Sequence, residues 1–199
     1  MKTVYLVMVL TVQGVNFLPL GRAAICLQGE YLVSGSRPVL DNQITASSVW
    51  DNHFSAYGPA SARLHTTANL YNVGCWVAGI NDQNPYIQVH LNGLSTITGY
   101  ALQGRPNMTD PSSSLYGCCR QFVTSFRLLY STDCTSFQTY LNNTGDEYVF
   151  QGNHNQNSVL ISGLPYHVTA MCVRINPVTW VSNDNKSIAL RFDIIGCSI

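Results

Sequence analysis

Near its C-terminal end the sequence contains the run Ile188-Ala-Leu-Arg-Phe-Asp-Ile-Ile-Gly-Cys197. Large apolar residues alternate with other residues in this run: positions 188, 190, 192 and 194 are Ile, Leu, Phe and Ile, whereas 189, 191 and 193 are Ala, Arg and Asp. A period of two residues is typical of a β-strand that buries one face. We therefore predict that the chain ends in a half-buried strand.

The same kind of run recurs along the chain, for example Leu164-Pro-Tyr-His-Val-Thr-Ala-Met-Cys-Val-Arg-Ile-Asn-Pro-Val-Thr-Trp180. Turn signals separate these runs at intervals of about ten residues, as at Gly58-Pro59, Asn92-Gly93 and Gly152-Asn153. This spacing predicts an all-β sandwich or barrel. Two longer irregular segments, residues 50–60 and 105–119, interrupt the pattern.

The composition supports a single β domain. The chain has 199 residues, enough for one domain with its own core. Charged residues make up 10% of it, against about 25% in typical globular proteins, and its many Tyr, Thr and Val residues favour strands over helices. The formal net charge of +0 argues against nucleic-acid binding, which needs a basic surface.

The start of the chain has the pattern of a secretory leader. It reads Met1-Lys-Thr-Val-Tyr-Leu-Val-Met-Val-Leu-Thr-Val12, and this apolar run is too short to span a bilayer. We predict a signal peptide over residues 1–24, cleaved between Gly14 and Ala24, and a mature, secreted extracellular domain over residues 25–199. Cleavage would remove Lys2 and Arg22, so the mature domain would keep eight of the ten basic residues against ten acidic ones and would be slightly acidic.

An ordered set of short segments resembles the discoidin domain, the coagulation factor V/VIII type C module. The set runs from Cys26 to Cys197 and contains Asp41-Asn-Gln-Ile-Thr-Ala-Ser-Ser48, Ser61-Ala-Arg-Leu64, Tyr86-Ile-Gln-Val-His-Leu91, Ile97-Thr-Gly-Tyr-Ala-Leu-Gln-Gly-Arg105, Val123-Thr-Ser-Phe-Arg-Leu-Leu-Tyr-Ser131, Phe150-Gln-Gly-Asn153 and Val173-Arg-Ile-Asn-Pro177. The resemblance implies an all-β, galactose-binding-like jelly-roll β-sandwich or barrel, with loops that project from one end.

In this family the projecting loops form the ligand-binding rim. By resemblance, the rim consists of residues 50–60, 69–73 and 105–119, and the contact candidates are Trp50, Phe54, Tyr57, Leu70, Tyr71, Arg105, Asn107, Met108, Asp110, Leu115 and Tyr116. Exposed aromatic side chains on supported loops give a large contact area at low entropy cost, which favours the same assignment. For Trp50 the alternative is that its ring plugs the end of the barrel.

The seven cysteines predict disulfides in a secreted chain. The resemblance implies a Cys26–Cys197 bond, which closes a long loop and contributes about 4–5 kcal/mol in the chain-entropy model. Two alternatives stay open for the rim: either Cys75 bridges to Cys118 or Cys119, or Cys118 and Cys119 pair with each other.

The two remaining cysteines stand at positions where the family usually has other residues. Cys172 replaces an aromatic residue, which predicts a buried free thiol. Cys134 lies in a turn where the family often has Gly. An exposed odd thiol there predicts a disulfide-linked dimer.

Three sequons predict N-glycosylation, at Asn107, Asn142 and Asn185. A glycan on Asn107 would obstruct insertion of the rim into a bilayer. The histidines are scattered and no pair of Cys-x-x-Cys motifs occurs, so we predict no metal site. Some family members bind calcium near the rim, but this sequence has no clustered acidic loop, and we predict no cofactor.

We predict that the protein is not an enzyme, because the sequence has no Gly-x-Ser-x-Gly, His-Glu-x-x-His, phosphate-loop or dinucleotide motif. The resemblance implies a recognition or adhesion module whose rim binds cell-surface glycans. Tyr, Trp, Asn and Asp suit stacking on sugars and bonding to hydroxyls. One alternative is phospholipid binding, to phosphatidylserine membranes, through the same loops. A second is a disulfide-linked structural component with a protein receptor or matrix partner.

Overall fold

The computed structural model describes Cys26 and residues 29–183 and 187–199. Four short helical turns lie within them: α1 (Phe54–Tyr57) and three 3-10 turns, Asp41–Gln43, Trp50–Asn52 and Pro59–Ser61. The strands of the described residues are β1 Glu30–Tyr31, β2 Ile44–Ala46, β3 Trp76–Val77, β4 Ile87–Gln103, β5 Phe122–Ser131, β6 Gln138–Thr139, β7 Val149–Gln151, β8 Leu160–Val181 and β9 Ala189–Ser198.

All of these strands pair antiparallel in one sheet, in the order β1-β9-β4-β8-β5-β6, with β2 on β4, β3 on β9 and β7 on β5. The first part of β4 pairs with β2 and its second part with β9, and its register shifts between His90 and Ser95. Long strands that bend and change partners let one sheet fold over a single core. The all-β prediction is confirmed, and the sheet is open rather than a closed barrel.

The last strand is buried on both faces, so the prediction of a half-buried β9 is wrong. Phe192 and Ile194 lie in the main core, but Arg191 and Asp193 are also buried. Asp193 accepts hydrogen bonds from the backbone N–H groups of Val33 (2.8 Å) and Ser34 (3.0 Å). Loop segments therefore cover the face that the alternation assigned to water, and they satisfy its polar groups.

Aromatic rings fill the centre of the main core. The Tyr100 and Phe126 rings meet edge to face with centroids 4.9 Å apart, and Phe126 stacks on Phe150 at 5.3 Å. Tyr140 is fully buried beside Phe150, and its hydroxyl donates to the carbonyl of Tyr166 (2.9 Å). Buried rings of this kind supply much of the stabilising apolar area of a β-sandwich.

Two disulfides hold the body of the sheet. Cys26 pairs with Cys197, next to the end of β9. Cys134 pairs with Cys172, which corrects both the predicted free thiol at 172 and the dimer-forming thiol at 134. The reason is strand register: β5 and β8 place Ser131 opposite Cys172, so the turn that follows β5 carries Cys134 to its partner.

The described residues contain no helix that is long and apolar enough to cross a membrane. The predicted signal peptide and the Asn185 sequon lie outside the described residues.

Candidate functional site

The three predicted rim segments meet at one end of the sheet, where β9 begins. Trp50 and Tyr57 from the first segment and Leu115 from the third are partly buried against one small cluster. We call this set the rim cluster: Val73, Cys75, Val77 and Ala189. The second segment contributes Val73 directly, so all three segments share one apolar base.

The first segment is a tight series of turns. Asp51 (φ 50°) and Asn52 (φ 52°) both take the left-handed conformation, which Asp and Asn tolerate better than other residues with a Cβ. The turn leads into α1, whose backbone closes with a hydrogen bond from Gly58 N to Phe54 O (2.9 Å). This arrangement turns Trp50 and Tyr57 inward and leaves Phe54 outside.

Asn72 joins the second segment to the first. Its side-chain Nδ2 donates to the carbonyl of Ser55 (2.8 Å) and to the hydroxyl of Ser61 (2.6 Å). Its Oδ1 accepts from the N–H of Gly74, whose φ of +70° requires glycine there. Tyr71, immediately before Asn72, therefore projects from a fixed turn.

The third segment folds back on itself between Met108 and Gly117. Gly117 N donates to the Met108 carbonyl (3.2 Å), and this closure buries the Met108 side chain. The Asp110 carboxylate accepts from the N–H (2.9 Å) and hydroxyl (2.7 Å) of Ser112, and these bonds hold its pKa below the ordinary value. Cys118 and Cys119 form a disulfide with each other where the segment ends.

The predicted Cys75 bridge to Cys118 or Cys119 is not formed. Cys75 is free and fully buried in the rim cluster, whereas its two predicted partners are bonded to each other. The vicinal pair, the other alternative left open by the sequence, is the arrangement that the structure has.

The contact candidates separate into three groups. Those that are largely exposed are Phe54, Leu70, Tyr71, Asn107 and Tyr116. Those that are partly buried are Trp50, Tyr57, Asp110 and Leu115. Arg105 and Met108 are buried, so neither lies on the exposed surface of the rim. The partial burial of Trp50 against the rim cluster fits the alternative in which its ring closes the end of the fold.

Sequence reasoning missed two residues that shape the site. Asn72 looks like an ordinary loop residue, although an Asn before Val-Gly is a common turn signal. Gln121 follows the vicinal cysteines, and its side-chain oxygen accepts a hydrogen bond from Nη1 of Arg105 (2.9 Å). No local pattern in the sequence marks that pair, because 16 residues separate them.

A groove of about 730 Å³ runs beside the first segment, between Trp50 and Asp82. Burial alone would raise the pKa of Asp82, but hydrogen bonds from the hydroxyls of Ser47 and Ser48 and from Asn84 N lower it. The carboxylate therefore stays ionised. Both carboxylate oxygens of Asp82 already accept hydrogen bonds from these neighbouring groups.

One trio of side chains in the described residues has the spacing of metal ligands: His90, Cys134 and Cys172, whose ligand atoms lie within 4.8 Å of one another. The two sulfur atoms are already bonded to each other, and a disulfide sulfur is not a thiolate ligand. With the disulfide formed, His90 is left as one exposed imidazole.

Comparison with known proteins gives the same picture as the fold. The family model described as the F5/8 type C domain matches residues 43–194. Hemocytin of Bombyx mori is 31% identical over 167 residues, which is 84% of this chain and 5% of that protein. Coagulation factor VIII of Mus musculus is 32% identical over 162 residues, 81% of this chain and 6% of that protein. The chain thus spans a small part of the length of these relatives.

Two solved structures share the fold. Recombinant discoidin II of Dictyostelium discoideum superposes with a TM-score of 0.55 at 19% identity, covering 78% of this chain and 55% of that one. A Clostridium perfringens module in complex with GalNAc-β-1,3-galactose superposes with a TM-score of 0.50 at 12% identity, covering 77% and 96%. At these identities the likeness concerns the fold alone. The family match over residues 43–194, together with this architecture, establishes that the chain belongs to the F5/8 type C domain family.

Proposed function

We propose that this chain is a non-catalytic recognition module that binds glycans through its rim. The observation that carries the proposal is that each rim segment presents an exposed aromatic side chain from a hydrogen-bonded base: Phe54 (63% exposed), Tyr71 (84%) and Tyr116 (59%). Large rings held on fixed turns bury much area and lose little entropy when they bind. Their faces can stack on sugar rings.

Polar groups around these rings suit sugar hydroxyls. Where its sequon is not glycosylated, the exposed Asn107 adds an amide, whose oxygen accepts a hydrogen bond from Gln156 Nε2. Asp110 is held ionised by Ser112 at the same segment. The segment that carries Tyr116 therefore also carries a carboxylate and an amide, so stacking and hydrogen bonding can come from one loop.

The alternative is membrane binding, and the exposed apolar side chains of Phe54 and Leu70 favour it. Two features weigh against it. The rim candidates include one cation, Arg105, and it lines a small cavity instead of adding positive charge to the outer surface that would face anionic lipid. The Asn107 sequon, if glycosylated, places a bulky polar group next to the rings that would insert.

A disulfide-linked structural role has less support. All seven cysteines lie in the described part of the chain: six are paired within the chain and the seventh, Cys75, is buried. We propose that the protein acts outside the cell. Three disulfides in one domain favour an oxidising compartment.

The test is to apply the mature, glycosylated protein to a glycan array and to phosphatidylserine vesicles in parallel, with and without calcium. We expect selective glycan binding that is lost in Phe54→Ser and Tyr116→Ser. The matched control is Ile199→Ser, an exposed apolar residue at the opposite end of β9 from the rim cluster. Binding to vesicles alone would replace the glycan proposal with the membrane alternative.

A further inference from the structure

Two buried arginines lie beneath the rim, and neither has an acidic partner in the described part of the chain. Arg105 is 6% exposed and Arg191 is 3% exposed. The ion pairs in the described part of the chain are Arg63–Asp41 and Arg127–Glu147, so neither buried guanidinium has a carboxylate among those residues. Buried charges in proteins are normally paired, because removing them from water is costly.

The two arginines differ in how many hydrogen bonds their guanidinium groups donate to other residues of the protein. Arg191 donates from Nε to the Gly104 carbonyl (2.7 Å) and from Nη1 to the Thr66 carbonyl (2.7 Å), and burial lowers its pKa to about 10. It remains protonated at neutral pH and serves as a structural brace. The Arg105 side chain makes one hydrogen bond, from Nη1 to Gln121 Oε1, and its other N–H groups have no partner among the described residues.

The thiol between the two arginines is not their counter-ion. Both guanidiniums favour the thiolate form of Cys75, but burial outweighs them and raises its pKa to about 12. Cys75 is therefore a neutral thiol at physiological pH. Among the residues that the structure describes, no carboxylate compensates the positive charge of Arg105.

Arg105 lines a cavity of about 170 Å³ that the rim encloses. The half-buried side chains of Trp50, Tyr57 and Leu115 form apolar walls, and the polar side chains of the lining are Arg105, Gln121 and Ser187. This volume is below the roughly 300–1,000 Å³ of pockets that enclose whole ligands. The cavity therefore suits the charged end of a ligand whose remainder lies on the rim.

We propose that Arg105 receives the carboxylate of an acidic sugar, such as a sialic or uronic acid residue, at the end of a glycan. The proposal rests on the proposed glycan-binding function and names the class of glycan. Because Nη1 is engaged by Gln121, the edge formed by Nε and Nη2 is the one left for a ligand. That edge presents two parallel N–H groups, which match the two oxygens of a carboxylate.

The test compares lactose, 3′-sialyllactose and 3′-sulfolactose by isothermal titration calorimetry with the full mature protein. We expect 3′-sialyllactose to bind about 10- to 100-fold more tightly than lactose, the range for a hydrogen bond to a charged group in a desolvated site. Conversion of the sialic acid to its methyl ester removes the charge from the ligand and should abolish the preference without any change in the protein.

Variants then locate the effect. Arg105→Met should lose the preference, and a cooperative thermal melt should show that the variant is folded, although the buried Gln121 oxygen loses its donor. Arg105→Lys should keep part of the preference. Arg120→Met is the matched control, since Arg120 is exposed and its guanidinium lies 5.7 Å from the Phe122 ring centre rather than in the cavity. It should bind like the parent.

Each other outcome overturns the inference in a different way. Equal binding of lactose and 3′-sialyllactose, with loss in Phe54→Ser, removes the acidic-sugar assignment and leaves the glycan function intact. Equal binding of the sulfated and sialylated sugars removes the selectivity for carboxylate. If vesicles of phosphatidylserine bind in an Arg105-dependent way and no sugar binds, the carboxylate that Arg105 receives belongs to a lipid head group and not to a glycan. No binding of any glycan removes this inference together with the proposed function.

Discussion

The main core and the rim cluster are two apolar regions built on different principles. The main core is large and contains stacked and edge-to-face rings from several strands, among them Tyr100, Phe126 and Phe150. The rim cluster contains four small or medium side chains, with a cavity and two buried arginines beside it. One region therefore stabilises the fold through dense packing, whereas the other holds three loops together and leaves a cavity beside buried charge.

The largest expected effect lies in the main core. Phe126→Ala should lower the free energy of unfolding by about 3–5 kcal/mol, because a fully buried ring is lost and a cavity remains. Urea denaturation followed by tryptophan fluorescence measures the change. A loss below about 1 kcal/mol would mean that the core relaxes around the cavity, and the contrast between the two regions would weaken.

The disulfide that joins β8 to the turn after β5 should come next. The double variant Cys134→Ser/Cys172→Ser should lose about 2–4 kcal/mol, since the bond spans 38 residues and restricts the unfolded chain. Denaturation of the oxidised parent and the variant in the same buffer gives the difference. Glycan binding at low denaturant should be unchanged, because neither sulfur lies at the rim. A parallel loss of binding would show that the two regions are coupled.

Asn72→Ala tests the brace of the rim itself. We expect a loss of about 1–2 kcal/mol from the removed hydrogen bonds to Ser55 and Ser61, and a larger proportional loss of binding because Tyr71 is no longer held. Asn69→Ala is a useful comparison, since the Asn69 side-chain oxygen accepts hydrogen bonds within its own turn, from Tyr71 N and Asn72 N. If the two variants bound alike, the link between segments would have no role in recognition.

The smallest effect on stability is expected at the tips of the rim. Tyr71→Ser should change the free energy of unfolding by less than about 0.5 kcal/mol, because the ring is almost entirely exposed. Its effect should appear in glycan binding. A stability loss above about 1 kcal/mol would place the ring in packing that the exposed surface does not indicate.

The sequence was sufficient to predict the fold and the exposed aromatic side chains of the rim, but not which residues are buried beneath them. Alternation and turn spacing predict an all-β fold, and the tips Phe54, Tyr71 and Tyr116 are exposed as expected. Met108 is buried where Gly117 N closes back onto its carbonyl, and the buried Arg105 bonds to Gln121, 16 residues away; no local pattern predicts either contact. The second buried face of β9 likewise depends on loops distant in sequence, such as residues 33–34.

The pairing of Cys134 with Cys172 could not be predicted from the local sequence either. A turn residue and a strand residue such as Cys134 and Cys172 meet only because of the register between β5 and β8. Register is a property of paired strands and is set by how all their side chains pack. Cys172 in place of an aromatic residue and Cys134 in place of Gly therefore look unrelated when each position is considered alone. Together they form one disulfide.

The Cys26–Cys197 bond has a mechanical consequence. It links the two ends of the domain covalently, at the far end of β9 from the rim cluster. A pulling force applied to the polypeptide outside these two residues passes through the sulfur–sulfur bond and not through the hydrogen bonds of the sheet. The rim would therefore keep its shape under such a load, because the force bypasses the strands that support it.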